Sequence, residues 1–322
     1  MIHTNRMFKI IIVMVALVQL IGCGRSIEEN VNQPETTAEY RLSHGITSLD
    51  ILTEHINYCG VPIEIEYEFE NGNVDANMGL LLFLDGDLQP FAIDSGECQI
   101  MNIVDLPADQ TKTVTIAFTP VKGHVGQALP LHIVALFDAR NKIDSPSIAV
   151  PFFQAISQAF PATIMFENDF PVTTFQDYYI SNISAVSLES TVMELNVPLK
   201  TAESKLILPE FSSANDVINK QACFNSPITL QLSNTYEKDT EYHIFAFINN
   251  SPVFWGEKSF LSVLVPAKKM YSMSVEINID DSISEKQIDK NQMFFIAVPI
   301  HDANQQKGTM VLKTKTTSII MK

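Results

Sequence analysis

Basic residues, cysteine and glycine are scarce in this 322-residue sequence, which has 21 lysines and arginines, 4 cysteines and 12 glycines. The 37 acidic residues outnumber the basic ones and give a formal charge of −16. Nucleic-acid binding needs a basic surface that neutralises phosphates, so we expect no nucleic-acid partner. So few cysteines exclude a disulfide-stapled miniprotein, and an apolar content of 46% excludes a disordered chain. The composition is that of an acidic protein with ample material for a core.

Motifs of known catalytic and metal sites are also missing. There is no His-Glu-x-x-His zinc motif, no Gly-x-Ser-x-Gly nucleophile elbow, no Cys-x-x-Cys pair and no glycine-rich phosphate loop. His132 and His243 lie in strand-like runs, where a lone histidine is more often a packed or surface residue than a catalyst. We therefore predict no enzymatic activity, no cofactor and no metal site.

The N-terminus has the pattern of a bacterial secretion signal. Arg6 and Lys9 precede an apolar run over residues 10–21, which is shorter than the roughly 20 residues that cross a bilayer. The run ends in Leu20-Ile21-Gly22-Cys23, which resembles the lipobox of bacterial lipoproteins. This resemblance implies cleavage between Gly22 and Cys23 and a diacylglycerol on the Cys23 thiol. The alternatives are an ordinary signal peptide with a chance cysteine and an uncleaved anchor.

A double acyl chain would anchor the protein stably, because each buried methylene contributes about 0.8 kcal/mol. We therefore expect a protein that is lipid-anchored in the cell membrane and faces the extracytoplasmic side. Removal of residues 1–22 leaves 19 basic and 37 acidic residues and a charge of −18. Residues 23–42 then form the lipidated cysteine and a polar, flexible spacer. Repulsion would hold the acidic body off an anionic membrane.

A pattern of four strands occurs twice in the rest of the chain. Residues 63–70 alternate apolar residues with glutamate, which is typical of a strand with one buried and one exposed face. A cysteine precedes this strand in each half, and the same order of alternating stretches and apolar runs follows. The four strands begin at Ile63, Leu80, Val114 and Leu131 and again at Ile228, Ile244, Met273 and Phe294, with offsets of 165, 164, 159 and 163 residues. Such near-constant offsets suggest an internal duplication. The alternative is that any two β-sandwiches look alike at this level of detail.

The repeat predicts an all-β fold with two tandem antiparallel β-sandwiches. The predicted order is a signal peptide (1–22), a lipidated cysteine and spacer (23–42), a first β-sandwich domain (43–155), a connecting segment with extra strands (156–215) and a second β-sandwich domain (216–322). The sandwiches resemble immunoglobulin-like folds in strand number and spacing, although a Cys–Trp–Cys core is not present. The sequence lacks the strand–helix alternation of a parallel α/β sheet.

The remaining cysteines cannot all pair within one chain once Cys23 is acylated. Cys59 and Cys98 fall in the first predicted domain and could form a disulfide, since an oxidising exterior permits one. Cys223 would then be a buried thiol, which is a common fate of cysteine in protein cores.

Three features allow either a functional or a purely structural interpretation. Residues 71–77 space oxygen-bearing side chains two apart, as a calcium loop does, but they lack its bidentate glutamate, and we favour a turn. Trp255 could stack on a carbohydrate or pack in the core. An acidic row could receive a basic peptide or a cation, or it could only solvate a strand and guard a sheet edge, and we favour the structural interpretation. This row consists of Glu64, Glu66, Glu68 and Glu70.

These patterns together predict a membrane-anchored lipoprotein that acts as a non-enzymatic protein-interaction or scaffolding module of the cell envelope. The expected partners are the membrane, through the diacylglyceryl group on Cys23, and an envelope protein. The alternative is a surface lipoprotein that binds a peptide or a glycan. An enzyme with an unfamiliar site is the third hypothesis.

Overall fold

The computed structural model describes residues 41–47, 55–141, 154–159, 162–171, 186–198, 206–207, 222–223, 228–234, 236–255, 258–279, 291–300, 310–314 and 316–320. The described residues form strands and connecting turns, with no helix, and they belong to one compact unit, Ala38–Lys322. The predicted signal peptide, Gly22 and Cys23 lie outside the described residues. No membrane-spanning helix occurs within the described ranges. The prediction of an all-β fold is confirmed.

The first half of the molecule, residues 41–171, is a sandwich of two sheets. A four-stranded sheet has the order β1-β3-β8-β6, and a seven-stranded sheet has the order β2-β11-β9-β4-β5, with β10 on β9 and β7 on β4. The strands are β1 (Leu42–Ile46), β2 (His55–Tyr58), β3 (Ile63–Asn71), β4 (Ala76–Leu84), β5 (Asp87–Gln89), β6 (Ala92–Ile93), β7 (Met101–Leu106), β8 (Thr111–Phe118), β9 (Ala128–Phe137), β10 (Ile156–Gln158) and β11 (Ala162–Phe166).

The second half, residues 186–320, forms an eleven-stranded sheet that folds back on itself. Its order is β13-β15-β19-β12-β17-β16-β20-β22-β14, with β18 on β16 and β21 on β20. The strands are β12 (Val186–Pro198), β13 (Leu206–Ile207), β14 (Ala222–Cys223), β15 (Ile228–Asn234), β16 (Thr240–Ile248), β17 (Ser251–Trp255), β18 (Leu261–Val265), β19 (Lys269–Ile279), β20 (Asn291–Pro299), β21 (Leu312–Lys313) and β22 (Thr317–Ile320).

Both halves pair their strands in the same way. The antiparallel pairs β3–β8 and β4–β9 of the first half correspond to β15–β19 and β16–β20 of the second. The parallel pair β2–β11 of the first half corresponds to the parallel pair β14–β22 of the second. The second half has a further parallel pair, β12–β17. The order β1-β3-β8-β6 corresponds to the A-B-E-D sheet of a constant-type immunoglobulin domain, and β4, β9 and β11 correspond to its C, F and G strands. The predicted immunoglobulin-like sandwich is therefore confirmed.

Hydrogen bonds at the strand ends repeat as well. The Asn71 side-chain amide donates to Leu106 O at 2.9 Å, and the Asn234 amide donates to Val265 O at 2.9 Å. Asp75 Oδ1 accepts from Ala108 N, and Asp239 Oδ1 accepts from Ala267 N, both at 2.8 Å. These contacts mark a match that the sequence analysis missed, Leu106-Pro107-Ala108 against Val265-Pro266-Ala267. They support the inferred duplication.

The two halves also share a turn of unusual backbone geometry. A two-residue loop joins β4 to β5 through Asp85 and Gly86, and another joins β16 to β17 through Asn249 and Asn250. All four residues have positive φ, at 44°, 80°, 50° and 66°. A type I′ hairpin turn needs positive φ at both central residues, and Asp, Asn and Gly tolerate it best. The Asp85-Gly86-Asp87 turn signal in the sequence is thus explained.

Three apolar clusters hold the molecule together. One fills the first half, one fills the second half, and the third lies between them. The third cluster packs one face of β4 and β9 against one face of β16 and β20, with Leu81, Phe83, Val134, Phe245, Phe247, Phe294 and Ile296 at its centre. These four strands are buried on both faces, which explains why their sequences are continuous apolar runs and do not alternate.

The predicted connecting segment, 156–215, contributes strands to both halves. β10 and β11 join the seven-stranded sheet, whereas β12 and β13 join the eleven-stranded sheet. The exact domain boundaries stay a prediction.

Candidate interaction surface on the four-stranded sheet

The acidic row lies on the outer face of the four-stranded sheet. Along β3 the apolar residues are buried, while Glu64, Glu66 and Glu70 are exposed and Glu68 is half-buried. β3 lies between β1 and β8, so the row does not guard a sheet edge, and that interpretation is wrong. Alternate residues of a strand are about 7 Å apart, so four carboxylates span about 20 Å of one surface.

Hydroxyl groups flank the acidic row. Thr111, Thr113 and Thr115 of β8 lie opposite Glu70, Glu68 and Glu66. On the other side, Ser43 Oγ of β1 donates to Glu70 Oε2 at 3.3 Å. Within the described residues, no lysine or arginine forms an ion pair with any of the four glutamates. The face is therefore an open, polar surface whose negative charge is not neutralised by the described part of the chain.

The edge of this sheet beside β8 is only partly covered. β6 pairs Ala92 and Ile93 with Ala117 and Ile116 at the end of β8. The next residue outside β6 in sequence, Asp94, extends this cover, because Asp94 N donates to Thr115 O at 2.8 Å and Thr115 N donates to Asp94 Oδ1 at 3.0 Å. Among the described residues, no strand pairs with this side of β8 over residues 111–115.

The backbone direction along β8 follows from two hydrogen bonds. Thr115 bonds Asp94 on the β6 side, whereas Gln110 O accepts from Asn71 N on the β3 side. Because backbone groups of successive residues point to opposite sides of a strand, Thr111 and Thr113 direct their N–H and C=O groups toward the open side. This open edge of β8, residues 111–114, adjoins the acidic face.

A second charged cluster lies at the contact between the halves. His243 Nδ1 donates to Gly86 O at 3.0 Å and lies 3.1 Å from Asp87 Oδ1, and the His243 ring stacks on Phe260 with centroids 3.6 Å apart. Lys122 Nζ lies 2.9 Å from Asp85 Oδ2 and 3.1 Å from Asp87 Oδ2. Burial acts to raise the pKa of Asp87, but the contacts with His243 and Lys122 outweigh it and hold that pKa below its usual range. The cluster joins the β4–β5 turn to β16.

Polar side chains also bridge the halves near β21. The Gln154 amide donates to Gln292 Oε1 at 3.1 Å, and Thr316 Oγ1 donates to Gln154 Oε1 at 2.5 Å. Lys313 Nζ lies 4.3 Å from the centroid of the Phe294 ring and donates to Thr316 Oγ1 at 3.0 Å. Desolvation lowers the pKa of Lys313 to about 7. These groups satisfy one another inside the junction, so we assign them a structural role.

The structure does not join Cys59 and Cys98 by a disulfide. Both are exposed, and Cys59 follows β2 of the seven-stranded sheet, whereas Cys98 follows β6 at the edge of the four-stranded sheet. Cys59 Sγ donates to Glu167 Oε2 at 3.2 Å, and this hydrogen bond raises the pKa of the Cys59 thiol. Cys59 lies in the loop after β2 and Cys98 in the loop between β6 and β7, and the bridge stays a prediction. Cys223 lies at the end of β14.

Side chains of residues 71–77, which resemble a calcium loop in spacing, are engaged in turn contacts. The Asn71 amide donates to Val74 O at 2.8 Å, and Asp75 caps Ala108 N. Asn77 Oδ1 accepts from Arg140 N at 2.7 Å. In the part of the chain that the structure describes, no three His, Cys, Asp or Glu side chains are grouped to hold a metal ion. The contacts support the turn interpretation.

The single tryptophan belongs to the core of the second half. Trp255 is 6% exposed and packs near Phe295, with ring centroids 6.1 Å apart. The proposed role as a carbohydrate platform needs an exposed ring face, so the core interpretation is confirmed. His132 and His243 are also buried strand residues, as the sequence suggested.

Comparisons with known proteins identify no family. No protein-family model matches the chain, and no curated protein matches it. Among solved structures, the CsuC–CsuE chaperone–tip adhesion subunit complex of Acinetobacter baumannii is 12% identical, with 88% of this chain and 100% of that chain covered and a TM-score of 0.25. The Salmonella enterica SafA pilin in complex with the SafB chaperone is 9% identical, with 88% and 97% covered and a TM-score of 0.25.

A red sea bream transglutaminase is 12% identical, with 88% of this chain and 31% of that chain covered and a TM-score of 0.20. Similarity at this level carries no argument about family or function. The strand order described above therefore identifies the chain only as a pair of immunoglobulin-like β-sandwiches.

Proposed function

We propose that this chain is a lipid-anchored, extracytoplasmic lipoprotein whose paired β-sandwiches form a non-enzymatic protein-interaction module. The acidic face of the four-stranded sheet is the observation that carries the proposal. Four glutamates on one strand, flanked by threonine and serine hydroxyls, make a coherent negative field on an accessible surface. A partner that presents lysine or arginine side chains fits that field, because charge complementarity steers association and fixes orientation.

The rigid junction between the halves suits such a role. The third apolar cluster and the His243–Asp87 contact pack the sandwiches directly on each other. A module with a fixed shape loses little conformational entropy when it binds, which favours recognition over a whole surface. The lipid anchor predicted at Cys23 would hold this module at the membrane.

Site-specific crosslinking on intact cells tests the interaction. A photo-crosslinking residue at position 43, on the acidic face, is expected to capture a basic protein, because Ser43 lies opposite Glu70. The same residue at position 264 is the control, because Leu264 is exposed but belongs to the second half. Replacing all four glutamates of β3 with glutamine should abolish capture from position 43. Capture that is absent from position 43, or unchanged by the glutamines, would contradict the proposal.

The anchor is tested separately. Cys23→Ala removes the thiol that would be acylated, so the protein should lose the diacylglyceryl group and partition into the soluble fraction. Globomycin, which blocks the lipoprotein signal peptidase, should leave the signal peptide attached and slow the migration of the wild-type protein on a gel. Unchanged migration and membrane partition in both experiments would refute lipid anchoring.

A further inference from the structure

The two halves differ at one corresponding edge. In the second half, β19 is flanked by β15 on one side and by β12 on the other. β12 pairs antiparallel with β19, in continuous register from Val186 opposite Ile279 to Met193 opposite Ser272. In the first half, β8 has β3 on one side, but on the other side it has only the two residues of β6. A strand therefore covers the edge in one copy of the repeat, and the described residues leave most of it open in the other.

We propose that the open edge of β8 is a docking site for an extended, basic segment of the partner protein, which pairs antiparallel with residues 111–114. This inference rests on the proposed function and specifies how the partner binds. The precedent for the geometry is within the chain, because β12 occupies the corresponding place on β19. Strand addition of this kind draws its affinity from backbone hydrogen bonds and its specificity from alternate side chains.

The backbone of β8 offers the necessary groups. Thr111 and Thr113 direct their N–H and C=O groups toward the open side, as the Asp94–Thr115 and Asn71–Gln110 hydrogen bonds require. The Asp94 contacts with Thr115 already imitate one step of such a ladder. An added strand can continue that ladder from Thr113 toward Thr111 without moving β6.

The acidic face determines which segment fits. A strand added to β8 lies about 4.8 Å from it and about 10 Å from β3. Its outward side chains lie beside Thr111 and Thr113, one strand away from the glutamates. Lysine and arginine are long enough to reach the carboxylates from there, whereas acidic residues would be repelled. The fitting segment therefore alternates basic residues with apolar residues that face the sandwich.

A ten-residue peptide of alternating lysine and valine is the probe. With the isotope-labelled full-length chain in detergent, we expect its binding to slow hydrogen exchange at the Thr111 and Thr113 amides. Two matched peptides separate the contribution of charge from the contribution of backbone hydrogen bonds. A glutamate–valine peptide should not bind because its charge is repelled, and a lysine–valine peptide with alternate N-methylated amides should bind at least tenfold more weakly because it cannot form the ladder.

Two protein variants complete the test. Thr113→Lys places a positive charge at the centre of the open edge, so it should weaken binding of the basic peptide at least tenfold. Thr113→Val keeps the β-branched side chain and the backbone, so it should bind like the wild type. Equal binding to Thr113→Lys and Thr113→Val, no binding of the lysine–valine peptide, or binding without slowed exchange at Thr111 and Thr113 would each overturn the proposal.

Crosslinking in cells distinguishes failure of this inference from failure of the proposed function. If position 43 captures the same basic protein in wild-type and Thr113→Lys cells, the interaction module stands and the strand-docking site is wrong. If position 43 captures no protein in wild-type cells, the proposed function itself fails.

Discussion

The two halves of the molecule share the same core strand pairings but differ in how one sheet edge is covered. Their core pairings, their type I′ turns and their strand-end asparagines correspond. At the outer side of β19, however, the chain supplies β12, while β6 covers only the last residues of β8. The comparison indicates that the halves share the parts that build the fold. The described residues leave one edge of the first half without a paired strand.

The largest expected effect concerns the shared junction. Phe83 and Phe247 occupy corresponding positions on β4 and β16, and both are fully buried between the halves. Each Phe→Ala variant should lower the free energy of unfolding by about 3–5 kcal/mol, because it leaves a cavity in a packed apolar cluster. Urea denaturation measures this loss. If one variant loses several kcal/mol of unfolding free energy and the other less than about 1 kcal/mol, Phe83 and Phe247 are not equivalent positions of the two halves.

A smaller effect is expected at the strand-end asparagines. Asn71→Ala and Asn234→Ala each remove an amide that donates to a buried carbonyl at the end of a neighbouring strand. Each variant should cost about 1–3 kcal/mol, the usual penalty when a buried polar group loses its partner. Thermal or urea unfolding measures the two costs. A marked difference between the two stability losses would show that Asn71 and Asn234 do not have equivalent structural roles.

The smallest expected effect concerns two polar contacts that join the halves, only one of which depends on pH. Asp87 meets His243 at one end of the junction, and Asn250 Nδ2 donates to Ala139 O at the other. Because the folded-state pKa of Asp87 lies below its ordinary value of 3.8, ionised Asp87 stabilises the folded protein above that pH. This stabilisation is lost as the pH falls through the folded-state pKa.

The measurement is the pH dependence of the unfolding free energy. The difference between wild type and Asp87→Asn should shrink as the pH is lowered below about 3.8. Asn250→Gly is the control, because it keeps a residue that tolerates positive φ and removes no titratable group, so its difference from wild type should not change over the same range. A constant difference for Asp87→Asn would contradict the assigned role of that carboxylate.

Much of the fold could be predicted from the sequence, because strand periodicity is a local signal. The alternation over residues 63–70 identified both faces of β3, and the constant offsets identified the repeat. The continuous apolar runs of β4, β9, β16 and β20 also indicate a second buried face, which the sequence analysis did not infer. A continuous run means burial on both faces, and here the second face packs on the other half.

The candidate site was less accessible to sequence reasoning. The acidic row was recognised, but its position on an inner strand depends on β1 and β8, which lie far away in sequence. The open edge of β8 could not be found at all from one half, since it is visible only beside β19 and β12.

Amide hydrogen exchange of the full-length protein without a partner tests the central claim most directly. On β8, the Thr111 and Thr113 amides should exchange quickly, while those of Lys112 and Val114 on the β3 side should be protected. On β19, all amides from Ser272 to Glu276 should be protected, because β15 and β12 cover both sides. Protection of Thr111 and Thr113 equal to that of β19 would mean that the edge is already covered, and would contradict the account.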